Sequence, residues 1–426
     1  MYREWFVSMI NHPDKPLRAV FNFRDFRLLL AAQFFIGFTQ PMMFITQSWY
    51  ISQSAPENFS AMFLGIAAAF RGLIFLSYIV IAGTLVDRFP RRTVMRANQG
   101  ITLLMIILVS AVLYLFESAQ PTLFRLFATI LLFGSFGIVL AQDQPNKVAL
   151  IRNSVNLQYS AAAISLFFAA MSFGALASGP VAGWLIEHHS YTLAYLFSGF
   201  GPAVGLVVAL SIRTGRKAAD TQSTDFSLSE NIFEGIRVLK QHEILRLILA
   251  LNWISIALGS GVMGQLIAIW VDEMLGFTAF DWGIMIVSWN VGATLSTLTL
   301  ANQGHKFRRG RTLILAVAIL GLSIFFYSWS RTLIFVFSFN LVCGASLMAI
   351  NALSSSIVQS VVDNRVLGRI NSFIFMSQGF MQVGALFLGF FATVLGLQTV
   401  FSVVGLFIFF AACFALIRRP LIRAFI

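Results

Sequence analysis

Arg71 is a lone cation within the apolar stretch FLGIAAAFRGLIFLSYIV. A charge deep in lipid is costly, so an intramembrane arginine is by default a functional candidate. Phe75 and Tyr78 follow at i+4 and i+7, on one face if the stretch is helical. An arginine beside aromatic rings suits a planar or anionic ligand. The competing reading has Arg71 bonded to backbone carbonyls or glutamine side chains, where it stabilises one conformation.

Amides supply a second chemistry. Gln33, Gln40 and Gln47 recur every seven residues. That spacing drifts only about 20° per step on a straight helix, so the three share a face. Asn252 with Ser255, Asn340 with Asn351, and Asn371 with Gln378 and Gln382 form comparable stripes. Each stripe serves either interhelical hydrogen bonds or contact with a bound solute. Catalytic constellations are missing from the sequence. All five histidines lie in or near loops, and Cys343 and Cys413 have no Cys or His at metal-ligand spacing. We therefore expect no enzyme activity, no catalytic residue, no metal and no cofactor.

The elements that position these groups are apolar blocks. The chain is 58% hydrophobic and 11% charged, with a mean hydropathy of +0.82. About 20 apolar residues span a bilayer as a helix. The sequence predicts an all-α membrane protein with twelve spans, at 26–51, 60–86, 93–116, 122–143, 156–186, 190–212, 243–271, 279–301, 311–328, 332–357, 370–395 and 398–417. The N-terminal stretch is polar and charged with no cleavable signal, so the first span is expected to direct insertion.

The formal charge of +12 raises nucleic acid as a partner, but its placement argues against it. Basic residues cluster before the first span, between even and odd spans, and after the last. The other loops carry Glu57, Glu117, Glu187, Asp272 and Glu273, with Arg125 and Arg331 as their cations. This asymmetry places both termini in the cytoplasm of a multi-pass inner-membrane protein. The expected partners are the lipid bilayer and a small-molecule substrate, with the chain acting as a monomer.

The connection 213–242 divides two six-helix halves, 1–212 and 243–426. Within it, Leu228, Ile232, Ile236 and Leu239 stand at helical spacing, which fits an amphipathic surface helix. The halves echo each other: GTLVDRFPRRTVM resembles NQGHKFRRGRTLI at an offset of 219 residues, with Lys306 in place of Asp87. Repeated six-helix units around a central cavity are a transporter design.

Gly83, Leu85, Asp87, Arg88, Arg91 and Arg92 resemble the loop motif of the major facilitator superfamily, with Pro90 replacing its second glycine. The resemblance implies a gate in which Asp87 caps the eleventh helix when the cavity opens outward. It also implies that Arg91 reaches a carboxylate at the end of the fourth, where Asp143 is well placed. SGPVAGW, with Gly179, Pro180 and Gly183, resembles the core of an exporter-associated motif, in which glycines and a proline let helices approach and bend. QPNKVALIRNSVN, FEGIRVLKQHEILRLIL and VVDNRVLGRINS together resemble the efflux branch that includes the enterobactin exporter and macrolide efflux proteins.

The resemblance implies a secondary active transporter that exports an amphiphilic organic molecule by alternating access. An importer or facilitator, or a non-transporting membrane sensor, is the alternative. Asp25, Asp87, Asp143 and Asp281 all fall at membrane edges, which disfavours cationic cargo and leaves protons to an edge carboxylate or uncoupled. The substrate-contact candidates are Gln33, Gln40, Gln47, Arg71, Tyr78, Asn252, Asn340, Gln378 and Gln382. Trp49, Tyr50, Trp253, Trp270 and Trp289 offer apolar contact or sit in interfacial belts.

Overall fold

With no water in the hydrocarbon layer, each backbone N–H and C=O must find its partner within the segment, and helices satisfy this. The computed structural model describes residues 19–56, 58–117, 123–156, 159–214, 237, 239, 242–303, 308–362 and 364–418, with backbone alone at 79–88, 116–117, 145, 161–162, 301–303, 359, 364–373, 375 and 418. Twelve helices among these are long and apolar enough to cross a membrane. They are α1 (Arg24–Ser54), α2 (Ser60–Arg88), α3 (Arg91–Glu117), α4 (Leu123–Ser154) and α5 (Ser160–His188). The span Tyr191–Ser211 is α6 and Glu243–Met274 is α7. Then come α8 (Ala279–Gln303), α9 (Arg309–Trp329), α10 (Leu333–Val361), α11 (Asn364–Leu395) and α12 (Leu397–Arg418). The described part of the chain contains no strand.

The fourth span is longer than the sequence implied. α4 runs on past Asp143 because Leu150 and Ile151 pack into a core with Phe26, Leu29, Phe167 and Val208. Asp143 consequently lies inside a helix and is buried. α7 contains π-helical segments at Ser255–Ser260, Val262–Leu266 and Trp270–Met274. Such bulges rotate the side chains that follow and often mark functional positions. Of the amphipathic run in the connection, Leu228, Ile232 and Ile236 lie outside the described residues, and Leu239 packs partly buried near Leu245 and Leu249.

Packing repeats after six helices. α1 lies on α5, α2 on α4 and α3 on α6; in the second half α7 lies on α11, α8 on α10 and α9 on α12. Two further pairs, α2 with α11 and α5 with α8, join the halves. The peripheral helices turn large apolar side chains outward, among them Leu104 and Leu108 of α3, Val207 of α6, Ile319 of α9 and Phe410 of α12. Those faces meet lipid, and polar residues such as Gln33, Gln47, Asn252 and Asn340 are buried between the helices.

The halves meet toward the face that carries the α1–α2, α5–α6 and α7–α8 loops, here termed the acidic face for Glu187, Asp272 and Glu273. Glycine makes this possible. A Cβ on Gly179 would collide with the Gly283 carbonyl, and one on Gly183 with the Ala279 carbonyl. On the other seam a Cβ on Gly389 would strike the Ala61 carbonyl, and one on Gly65 would stand 2.6 Å from the Ala385 carbonyl. Trp49 of α1 stacks on Trp282 of α8 with centroids 5.9 Å apart. Gln53 Nε2 donates to Asp272 Oδ2 at 2.6 Å, and the Phe280 amide donates to Glu187 Oε1 at 2.8 Å. The acidic face is shut by these contacts.

Candidate functional site

Arg71 stands on α2 at the inner end of the closed seam, next to Gly72, where a Cβ would come within 2.7 Å of Gln382 Cβ on α11. It is 4% exposed. Its Nε donates to Gln382 Oε1 at 2.6 Å, Nη1 to Gln47 Oε1 at 3.1 Å, and Nη2 to Gln265 Oε1 at 3.1 Å. Gln47 is on α1, Gln265 on the second π segment of α7, and Gln382 on α11. One side chain thus bonds to three helices, two of them in the other half. The ring beside the guanidinium is Phe44 of α1, 4.6 Å from centroid to Cζ.

Tyr78 turns away from Arg71, toward the neighbouring helix. α2 is pressed on α4 so closely that a Cβ on Gly137 would stand 3.0 Å from the Phe75 amide. The Tyr78 hydroxyl donates to Gln142 Oε1 of α4 at 3.5 Å. The glutamine alternative for Arg71 is the arrangement seen.

A second polar cluster lies within the first half. Asp143 Oδ1 accepts from Asn98 Nδ2 and Gln99 Nε2, each at 2.9 Å, and Oδ2 pairs with Lys147 Nζ at 2.5 Å. Gln142 Nε2 closes the network on Asn98 Oδ1 at 3.1 Å. With the acidic face shut, Asp143 pairs with Lys147 and not with Arg91. Lys147 is one turn from Asp143 on the same helix face, whereas Arg91 Nη1 lies further along and donates to the Ala149 carbonyl at 3.4 Å. Arg92 and Arg96 each donate from Nε to the Ala209 carbonyl at 3.0 Å, and so neutralise the partial negative charge at the end of α6. A cavity of about 40 Å³ beside Asp143, lined also by Thr39, Gln40, Gln99, Thr102 and Ser198, lies among α1, α3, α4 and α6. At roughly 10–15 Å³ per molecule it has room for a few waters.

Gly83, Asp87 and Arg88 are placed by backbone at the end of α2, and their side chains lie outside the described residues. Gly179 and Gly183 are seam contacts, and Pro180 sits inside an uninterrupted α5. Gln33 is buried, and neither amide atom has a hydrogen-bond partner among the described residues. Asn252 Nδ2 donates to Asn351 Oδ1 at 3.3 Å, tying α7 to α10. Asn340 Nδ2 donates to the Met285 carbonyl at 2.6 Å and Ser288 Oγ at 3.0 Å, tying α10 to α8. Gln378 is exposed and Asn371 is described by backbone alone. Trp270 is fully buried against Tyr327 and Phe401, a core residue without access to a solute.

Gln265, Phe44, Asn98 and Gln99 escaped the reading of the sequence. For Gln265 a signal existed: a second amide in the apolar block of Asn252, just after Gly259, Gly261 and Gly264. Metal-ligand clusters of three or more His, Cys, Asp or Glu do not occur among the described residues.

A family model described as Major Facilitator Superfamily matches residues 29–383. The chain is similar in fold to the nucleoside transporter NupG, with a TM-score of 0.71 at 14% identity over 91% of this chain and 99% of that one. It is also similar to a bacterial homolog of the human lysosomal transporter Spinster in an inward-facing, unoccupied conformation, with a TM-score of 0.70 at 14% identity over 94% and 98% of the two chains. A stretch of 66 residues is 38% identical to an anhydromuropeptide permease of Escherichia coli, covering 16% of this chain and 13% of that relative.

Proposed function

The chain belongs to the Major Facilitator Superfamily, and from this premise we propose that it exports an amphiphilic organic molecule by alternating access. Membership makes it a multi-pass membrane transporter. Direction, cargo and sidedness are our reading. The positive-inside bias of its loops puts the basic face, with both termini, in the cytoplasm. The seam closed at the acidic face then corresponds to a state open toward the cytoplasm, ready to load from within.

The observation that carries the proposal is Arg71 with its three glutamines. It lies where the halves meet, below the closed face, and bonds across the boundary. A polar centre held by both halves has to change partners when they rock, and this is where a solute can enter the cycle. The three segments that resemble the efflux branch support export, and the seam glycines Gly179 and Gly183 fall in the exporter-like motif. Siderophore-like and macrolide-like molecules fit the resemblance; protons are the proposed coupling ion, with a carboxylate outside the central site handling them.

The test compares small molecules inside and outside cells with and without the gene. Cargo is expected to accumulate inside when the gene is deleted, and collapse of the proton gradient is expected to stop its efflux. Protein-dependent uptake of the same compound by intact cells would overturn export. That outcome would favour the second reading, an importer, for which the stretch similar to a permease is the specific support.

A further inference from the structure

Arg71 brings a full positive charge into the protein interior, yet all three of its hydrogen-bond partners are neutral amide oxygens. Desolvating a guanidinium is costly, and amide dipoles offset only part of that cost. A carboxylate would do better. It matches the guanidinium fork with two parallel N–H···O bonds and supplies the missing countercharge.

We propose that Arg71 is a carboxylate-binding site, and that the anionic group of the cargo takes the donors that Gln265 and Gln382 hold in this state. The proposal rests on the transport reading and names the class of cargo. Two features of the site argue for exchange at those positions. Gln47 and Phe44 belong to α1 and stay with Arg71 in the same half. They hold the guanidinium in place from its own half, Gln47 accepting from Nη1 and the Phe44 ring lying against Cζ at 4.6 Å, so that its other donors face the opposite half. Gln265 and Gln382 belong to the opposite half and withdraw from Arg71 when the halves separate.

Access lies on the side of α7. Gln265 is half-buried on a π segment, and its neighbour Gly264 is exposed with open space where a Cβ would stand. Gln382, by contrast, is buried, with its Cβ close against Gly72. An arriving acid therefore displaces Gln265 first and Gln382 as the seam parts. Ligand binding and loss of the inter-half bonds become one event, so the anion biases the protein toward the state in which the halves no longer share Arg71.

The experiment uses the purified full chain in nanodiscs and follows thermal unfolding with 1-naphthoate, its neutral isostere 1-naphthamide, and 1-naphthylmethylammonium. Naphthoate is expected to stabilise saturably, with an affinity about tenfold or more above that of the amide, and the ammonium not to stabilise. Arg71→Gln should erase the preference for the acid, and Arg71→Lys should retain part of it. Gln265→Ala/Gln382→Ala, which frees donors and keeps the cation, should bind naphthoate several-fold more tightly. This last readout does not depend on Arg71 variants folding.

The proposal is overturned if acid and amide stabilise equally, or if naphthoate has no effect up to its solubility limit. A preference that survives Arg71→Gln, or a glutamine pair variant that binds the acid no better, overturns it too. Export in cells that is indifferent to Arg71→Gln would sink the carboxylate site and leave export standing. Naphthoate binding at Arg71 without any export would do the reverse.

Discussion

Arg71 and Asp143 are two buried charges of the first half, 4% and 8% exposed, and they are compensated in opposite ways. Asp143 has a cation, Lys147, and two amide donors, all from α3 and α4. Its network lies inside one rigid half and can survive any rocking motion intact. Arg71 has no anion among the described residues and draws two of its three partners from the other half. One arrangement holds a bundle together, whereas the other registers how two bundles stand relative to each other. A buried ion pair that loses one member is left with an uncompensated charge, while a cation among amides loses only dipoles.

Lys147→Met tests the first side of this contrast and has the largest expected effect on stability. It strands Asp143, and removing one partner of a buried pair typically costs about 3–5 kcal/mol. Adding Asp143→Asn should recover most of the loss, because the remaining amide still accepts from Asn98 and Gln99. Thermal unfolding in nanodiscs measures both; a single variant as stable as the wild type, or a double variant no better than the single, removes Asp143 from the structural role.

Arg71→Gln tests the other side and should separate function from stability. The three glutamines keep a partner that can donate, so the expected stability loss is about 1–2 kcal/mol. Efflux should nonetheless fall by about tenfold or more, the factor that corresponds to 1.4 kcal/mol of lost transition or ground-state preference. Loss of stability as large as that of Lys147→Met would erase the distinction between the two charges.

The spans were legible in the sequence because hydropathy over a whole helix is a sum that local packing cannot disguise. Helix ends were not. α4 outruns its apolar block since Leu150 and Ile151 find a core that is built from four other helices. Gln47, Arg71 and Gln382 could be singled out as polar groups in apolar blocks, but their convergence could not. It depends on Gly72, which brings α11 close, and on the π segment that turns Gln265 inward. Asp143 has Lys147 one turn away on the same helix as its partner in this arrangement, a pairing that spacing in a loop motif does not reveal.

The smallest effect is expected at the rim, where Gln53 of α1 bonds Asp272 of α7. Like the Arg71 bonds it crosses the halves; unlike them it is exposed, so water competes for both groups. Its net worth should be about 0.5–1 kcal/mol, enough to change the ratio of closed to open acidic face by about two- to fivefold. Spin labels on cysteines at Phe59 and Leu395, both exposed near the acidic-face ends of α2 and α11, can read that ratio once Cys343 and Cys413 are replaced by alanine. Gln53→Ala should enlarge the long-distance population by that factor, and adding Arg71→Gln should enlarge it further. If Gln53→Ala alone shifts the ratio as much as Arg71→Gln alone, the closed state is governed from its rim, and the central arginine is not the bond that the halves must break.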